Sequence, residues 1–191
     1  MSTSVLFMSV SVDGYIADPD DFLGGDDGHR LHNWFAPGGE STELSGPVTE
    51  VMEELRSSAG AVIAGRRTAE LMDHWGGDHG GLPIFVPSHR PPGPAARWGY
   101  PKVTYVTDGI ESAMAQAKAA AGDLNVHMVG AYTGQRAIAA GVLDELQIHL
   151  VPVLLGRGRR LFDELPSQVE LEVLRVIDTP DATHIRYRMT Y

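Results

Sequence analysis

The chain has no cysteine. Disulfides, thiolate metal centres and a cysteine nucleophile are therefore excluded. No apolar run reaches membrane-spanning length, and the N-terminus lacks a basic segment followed by an apolar stretch and a cleavage site. The expectation is a cytoplasmic protein with no membrane partner. Positive charge is scarce, with 15 Lys and Arg against 25 Asp and Glu and a formal net charge of −10. That balance argues against nucleic acid as a partner. Aromatics make up only 7% of the chain, yet hydrophobic residues reach 43%, enough for a buried core. No internal repeat, low-complexity tract or linker divides the 191 residues, so one domain over 1–191 is expected.

Against this scarcity of cations, adjacent arginines stand out. Ala61 to Ala64 reads as a buried strand, Gly65 as a tight turn, and Thr68 as the cap of a helix over 68–73. A helix start presents unsatisfied N–H groups and a positive dipole end, which suit an anion. Arg66 and Arg67 beside it suggest an anion with several phosphates, and NADPH fits that description. The alternative is a solvated basic turn.

Strands and helices alternate along the chain. Strands are expected at Val5–Val10, Ala61–Ala64, Pro83–Val86, Val103–Val106, Val126–Val129 and Leu146–Leu155. Val48, Val51, Met52 and Leu55 recur at helical spacing, and His29–Phe35 reads as a short helix. Asp108 is placed to cap a helix ending at Gly122, and Thr133–Ala140 reads as another, ended by Gly141. Residues 13–28 read as a long acidic loop. Pro87 to Pro101, with Pro91, Pro92 and Pro94 between, reads as a surface loop. Val169–Val173 and Thr183–Tyr191 alternate as an antiparallel pair, with Glu170, Glu172, His184, Arg186 and Arg188 on its wet face. The sum is an α/β chain with a mixed, mostly parallel sheet, helices on both faces and a C-terminal antiparallel hairpin.

Few side chains suggest chemistry. Asp18, Asp20, Asp21, Asp26 and Asp27 lack the spacing of a calcium loop and read as solvated. Asp13 either caps a turn after the first strand or meets substrate in a proton relay. His29 and His32 have no third metal ligand at a recognisable spacing. They are either packing residues or groups that contact substrate and donate a proton near neutrality. Gly156-Arg157-Gly158-Arg159-Arg160-Leu161 lacks the third glycine of a dinucleotide fingerprint. No Gly-x-Ser-x-Gly elbow occurs.

Four segments in order resemble a known family. They are Ser9-Val10-Ser11-Val12-Asp13-Gly14-Tyr15-Ile16-Ala17, Gly65-Arg66-Arg67-Thr68, Gly141-Val142-Leu143-Asp144-Glu145-Leu146 and Pro152-Val153-Leu154-Leu155-Gly156-Arg157-Gly158. Over nearly its whole length the chain resembles the dihydrofolate reductase-like fold, in the branch of the riboflavin-biosynthesis reductase domain. The stretch Gly141–Phe162 is the most specific part. The resemblance implies NADPH lying across the strand ends. Arg66 and Ser88 would face the extra ribose phosphate, assisted by His89 and Arg90. Gly65, Arg67 and Thr68 would lie at the pyrophosphate, with Val129, Gly130, Ala131 and Thr133 beneath it. Ile16 and Ala17 would hold the nicotinamide amide. Asp13 and His32 are the candidate catalytic residues.

Two departures qualify these expectations. The family has consecutive glycines where this chain has Val129-Gly130, and valine tolerates close phosphate approach less well. Dihydrofolate reductases also carry an acid on the helix after the first loop. Aligned on Trp34-Phe35, that position is Leu31, which argues against folate reduction. The expected activity is hydride transfer to a small heterocyclic or sugar-phosphate-like substrate, similar to 5-amino-6-(5-phosphoribosylamino)uracil reduction. A sensor or scaffold that binds NADPH without turnover is the alternative. A homodimer is also expected from the resemblance, and Tyr187, Met189 and Tyr191 share one face that needs cover.

Overall fold

In the computed structural model, which describes residues 2–26, 28–37, 44–91, 99–163 and 165–191, contacts divide the chain into two compact units. The first comprises Met1–Leu6 and Ser58–Glu145, the second Phe7–Ser57 and Leu146–Tyr191. Asp27 and residues 92–98 of the expected Pro87–Pro101 loop lie outside the described residues.

The first unit is built on β3 (Ala59–Ala64), β4 (Ile84–Pro87), β5 (Val103–Val106), β6 (Asn125–Val129) and the start of β1 (Ser4–Ser11), in the order β5-β4-β3-β6-β1. All the registers between these neighbours are parallel. Parallel strands covered on both faces read as continuous apolar runs, and β3 is buried from Ala61 to Ala64. Helices α2 (Arg66–Leu71), α3 (Ile110–Ala121) and α4 (Ala131–Ala139) belong to this unit. α3 buries Ala113, Met114, Ala117 and Ala121. Its end lies so near β3 that a Cβ on Gly60 would meet the Ala121 carbonyl at 2.7 Å. Asp108 does not cap α3; the cap is Gly109, and the Asp108 carboxylate accepts a bond from the Ser112 hydroxyl.

One segment of this unit departs from ordinary backbone. Asp73, His74 and Trp75 have φ of 46°, 52° and 51°, followed by Gly76 at 74° and Gly77 at 111°. Left-handed conformation costs about 1–2 kcal/mol for each residue with a side chain. His74 is nonetheless 1% exposed, and Trp75 packs against Ala64, Ala69, Ile84 and Val86.

The second unit holds the rest of β1 together with β7 (Glu145–Val151), β9 (Glu170–Asp178) and β10 (Thr183–Thr190), in the order β1-β7-β10-β9. Through β1 the strand order reads as one eight-stranded mixed sheet, mostly parallel, with the expected C-terminal antiparallel hairpin. Helix α1 (Pro47–Ser58) contributes Val51 and Met52 to a core with Leu31, Trp34, Val151 and Ala182. The loop expected over 13–28 contains a strand, β2 (Tyr15–Ala17), paired with β8 (Arg159–Arg160). β7 stops at Val151 rather than Leu155, because Pro152 has no N–H for a ladder.

The hairpin keeps the expected faces only in part: Glu170, Glu172 and Arg188 are exposed and Met189 is buried, as expected, but the rest differs. Leu174 has no opposite residue, so this bulge brings Leu171, Val173 and Val176 opposite Met189, Tyr187 and Ile185. Leu171, Val173 and Val176 are exposed. The face expected to be wet is instead covered at its start. His184 is buried, Ile177 packs on the core, and Arg186 and Arg175 both pair with Glu54 of α1.

Candidate functional site

In the first unit, β3 and β6 are neighbours and each runs directly into a helix. The intervening turns, at Gly65 and Gly130, touch. The Gly65 N–H donates to the Val129 carbonyl at 3.0 Å. A Cβ on Gly65 would lie 2.8 Å from the Thr133 hydroxyl, and one on Gly130 3.2 Å from the Thr68 hydroxyl. Gly130 also has φ +106°, which disfavours any side chain. Gly65 is different: its φ of −56° is ordinary, so lack of room is what requires glycine there.

The helix starts differ from expectation. α2 begins at Arg66, so Thr68 lies inside its first turn and the cap is Gly65; α4 begins at Ala131, not Thr133. Neither cap supplies a side-chain hydrogen bond. Two helix starts capped by glycine, with threonine hydroxyls beside them, form a cradle suited to a pyrophosphate. Val129 does not crowd it: its side chain packs against the cluster of Ala64, Ala69, Ile84 and Val86.

Arg66 and Ser88 meet as expected. An Arg66 Nη1 N–H donates to Ser88 Oγ at 2.8 Å, and its Nε–H donates to Glu70 Oε1 at 2.8 Å. The guanidinium lies over the Tyr105 ring, 5.6 Å from its centroid. The Ser88 N–H donates to the Val106 carbonyl, and the Ser88 hydroxyl donates to the Arg90 carbonyl. Arg67 and His89 are exposed beside this group. A pocket of about 250 Å³ adjoins it. Ser88, His89 and Thr133 line it together with Tyr132, Arg136 and Glu111. Sequence reasoning missed the last three, although Tyr132 and Arg136 are spaced i, i+4 on the helix that carries Thr133.

The second unit holds the other expected residues. Asp13 shapes a turn: its carboxylate accepts bonds from the Ser11 hydroxyl at 2.6 Å and from the N–H groups of Leu155 and Gly156. The Ser11 bond, aided by those from Gly156 and Leu155, lowers its pKa below the usual carboxylate value. Ile16 and Ala17 are buried on β2. The Ala17 carbonyl lies where a Cβ on Gly158 would fall, 2.0 Å away. Arg160 covers the Tyr15 ring at 4.9 Å, and Arg159 pairs with Asp21 at 2.7 Å. His32 does not titrate near neutrality. Burial, and then the charge of His29, lowers its pKa to about 4.

The RibD C-terminal domain model matches residues 3–185. No curated protein matches the chain. Among solved structures, a riboflavin biosynthesis protein from Shewanella sp. PV-4 is 25% identical, with 99% of each chain covered and a TM-score of 0.72. The riboflavin biosynthesis reductase of Saccharomyces cerevisiae is 14% identical, covering 99% of this chain and 90% of that one, with a TM-score of 0.63. A dihydrofolate reductase from Enterococcus faecalis complexed with NADP(H) is also 14% identical, covering 99% and 97%, with a TM-score of 0.59.

Proposed function

The chain belongs to the RibD C-terminal domain family, and from that premise we propose that it is an NADPH-dependent reductase acting on a small heterocyclic or sugar-phosphate-like substrate. The observation that carries this reading is the convergence of Arg66, Ser88 and the paired Gly65 and Gly130 turns beside one pocket. Arg66 and Ser88 hold the extra ribose phosphate, with Arg67 and His89 adding charge and hydrogen-bonding capacity at its edge. The backbone at Gly65 and at Gly130–Ala131, with the hydroxyls of Thr68 and Thr133, receives the pyrophosphate. The pocket beside Tyr132 takes the adenine. The backbone of Ile16 and Ala17 holds the nicotinamide amide. The NADP(H) complex among the similar structures supports the same cofactor.

NADPH supplies the hydride, and the protein supplies orientation. Asp13 anchors the Leu155–Gly156 backbone. His32, neutral at pH 7, serves as a hydrogen-bonding contact to substrate, not as a charged acid. Steady-state oxidation of NADPH against a panel of aminopyrimidine ribose phosphates, other carbonyls and imines tests the assignment. Turnover is expected on a sugar-phosphate-like member and negligible turnover on dihydrofolate, because Leu31 is a fully buried core residue where an acid would be needed. Ordinary rates on dihydrofolate alone would overturn the substrate class. NADPH binding without turnover on any member would favour the sensor.

We also propose a homodimer formed through the C-terminal hairpin. Its apolar face leaves Leu171, Val173 and Val176 exposed on β9, the last strand in the order. A second copy would remove that surface from water. Light scattering at micromolar concentration should give twice the mass of one chain, and Val173→Lys should give the mass of one. A wild-type monomer excludes the assembly.

A further inference from the structure

We infer that His74 and Tyr105 are positioning residues for Arg66, and that the left-handed turn at Asp73–Gly77 delivers His74 to Tyr105. The inference rests on the NADPH reading above.

A continuous line of contacts runs through the first unit. His74 Nε2 and the Tyr105 hydroxyl are hydrogen-bonded at 2.8 Å. The ring of Tyr105 lies beneath the Arg66 guanidinium. Arg66 in turn donates to Ser88, and the Ser88 N–H donates to the Val106 carbonyl, one residue beyond Tyr105. The Tyr105 ring and the Ser88 bond therefore come from one stretch of β5 and the end of its hydrogen-bonded neighbour β4. Glu70, one turn along α2, fixes the Nε edge. Ser88, Glu70 and the Tyr105 ring, with the Arg90 and Pro91 carbonyls that accept from Nη1 at 3.4 Å, thus set the plane of Arg66, and a planar fork reads a phosphate only when its plane is set.

His74 is an expensive residue to place where it is. Its backbone is left-handed, with Asp73 and Trp75 left-handed on either side. Its ring is buried, and Nδ1 has no hydrogen-bond partner among the described residues. Ordinary packing favours neither feature. An apolar side chain on relaxed backbone would fill the same space without either penalty, but it would not hold the Tyr105 hydroxyl. Burial also favours the neutral imidazole, so it adds no charge to repel the guanidinium.

The test is a pair of titrations, NADPH and NADH, on the wild-type chain and on Arg66→Ala, Tyr105→Phe, Tyr105→Leu and His74→Phe. Tyr105→Phe keeps the ring and loses the bond to His74. It should lower the preference for NADPH about three- to tenfold, the scale of one hydrogen bond. His74→Phe should do the same. Tyr105→Leu, which also loses the ring face, should lower it about tenfold or more. NADH affinity should change less than twofold in each. A merely structural role would lower the thermal midpoint and weaken both cofactors by a common factor, which overturns the inference. So does an unchanged preference in Tyr105→Phe while Arg66→Ala abolishes it. If Arg66→Ala leaves the preference intact, the NADPH reading fails instead. Should Tyr105→Leu not fold, the volume-conserving Tyr105→Phe decides.

Discussion

Arg66→Ala is expected to weaken NADPH binding about ten- to a hundredfold and to leave NADH binding nearly unchanged. A hydrogen bond to a charged group contributes about 1.5–3 kcal/mol, and each 1.4 kcal/mol is a factor of ten in affinity. The side chain is only 20% exposed, so salt screens it weakly. It is also held before any ligand arrives, by Ser88, Glu70 and the Tyr105 ring. Little rotamer entropy is then lost on binding, which is why the effect should reach the full value of a charged bond. Fluorescence titration of both cofactors measures it. Equal losses for NADPH and NADH would show that Arg66 supports the turn and not the extra phosphate. No loss for either would remove the residue from the site.

The site was legible in the sequence where local spacing decides it. Gly65-Arg66-Arg67 at a strand end needed only the rule that helix starts attract anions, whereas Ser88 came from the family resemblance. The structure brings Arg66 and Ser88 within 2.8 Å. Tyr105 and Glu70 were not legible as Arg66's neighbours. Tyr105 reaches Arg66 only through the parallel pairing of β5, β4 and β3, which no local pattern encodes. The run at Asp73–Gly77 was equally hidden, because its glycines come after the residues with side chains that bear the unusual conformation.

The fold was legible for the same reason and failed at comparable points. Apolar runs located every strand of the first unit to within two residues. In the hairpin, simple alternation assigned His184 and Arg186 to water. One unpaired residue, Leu174, keeps Leu171, Val173 and Val176 on a single face. Glu54 on α1 then pairs with both Arg175 and Arg186, so that a face written in polar residues can be covered. Period-two alternation carries no information about an ion pair contributed by a helix more than a hundred residues away.

Stability is expected to fall steeply between pH 6.5 and 4, because the core of the second unit contains buried histidines. His149 and His184 are nearly inaccessible, and their Nδ1 atoms lie 2.6 Å apart. Only one of those nitrogens can carry a proton in such a bond. Trp34 stacks on His149 at 4.3 Å, and the Phe7 ring lies tilted against it at 4.2 Å. His149 also faces His32, while His184 faces Arg175 and Asp178. Burial is the first cause that depresses all three histidines, with His32 and His184 reaching about 4 and His149 well below its usual value. The sign follows from proton uptake. Below about pH 6.5 the unfolded chain protonates these imidazoles and the folded chain does not, so protons favour unfolding. The stabilisation is complete above pH 6.5 and is lost as pH falls toward 4. At pH 5 the loss is on the order of 2 kcal/mol for an imidazole whose pKa has fallen to about 4, as in His32 and His184, a large share of a typical domain's stability. Asp13, Asp78 and Asp144 have pKa values below the usual 3.8, so their own losses begin at lower pH. Urea unfolding followed by circular dichroism at pH 7.5 and pH 5 measures the difference. His149→Phe, which keeps an aromatic ring against Trp34 and Phe7, should reduce the pH slope by about one proton, or about 1.4 kcal/mol per pH unit. Equal stability at the two pH values, or an unchanged slope in His149→Phe, would show that water reaches these rings in the folded chain.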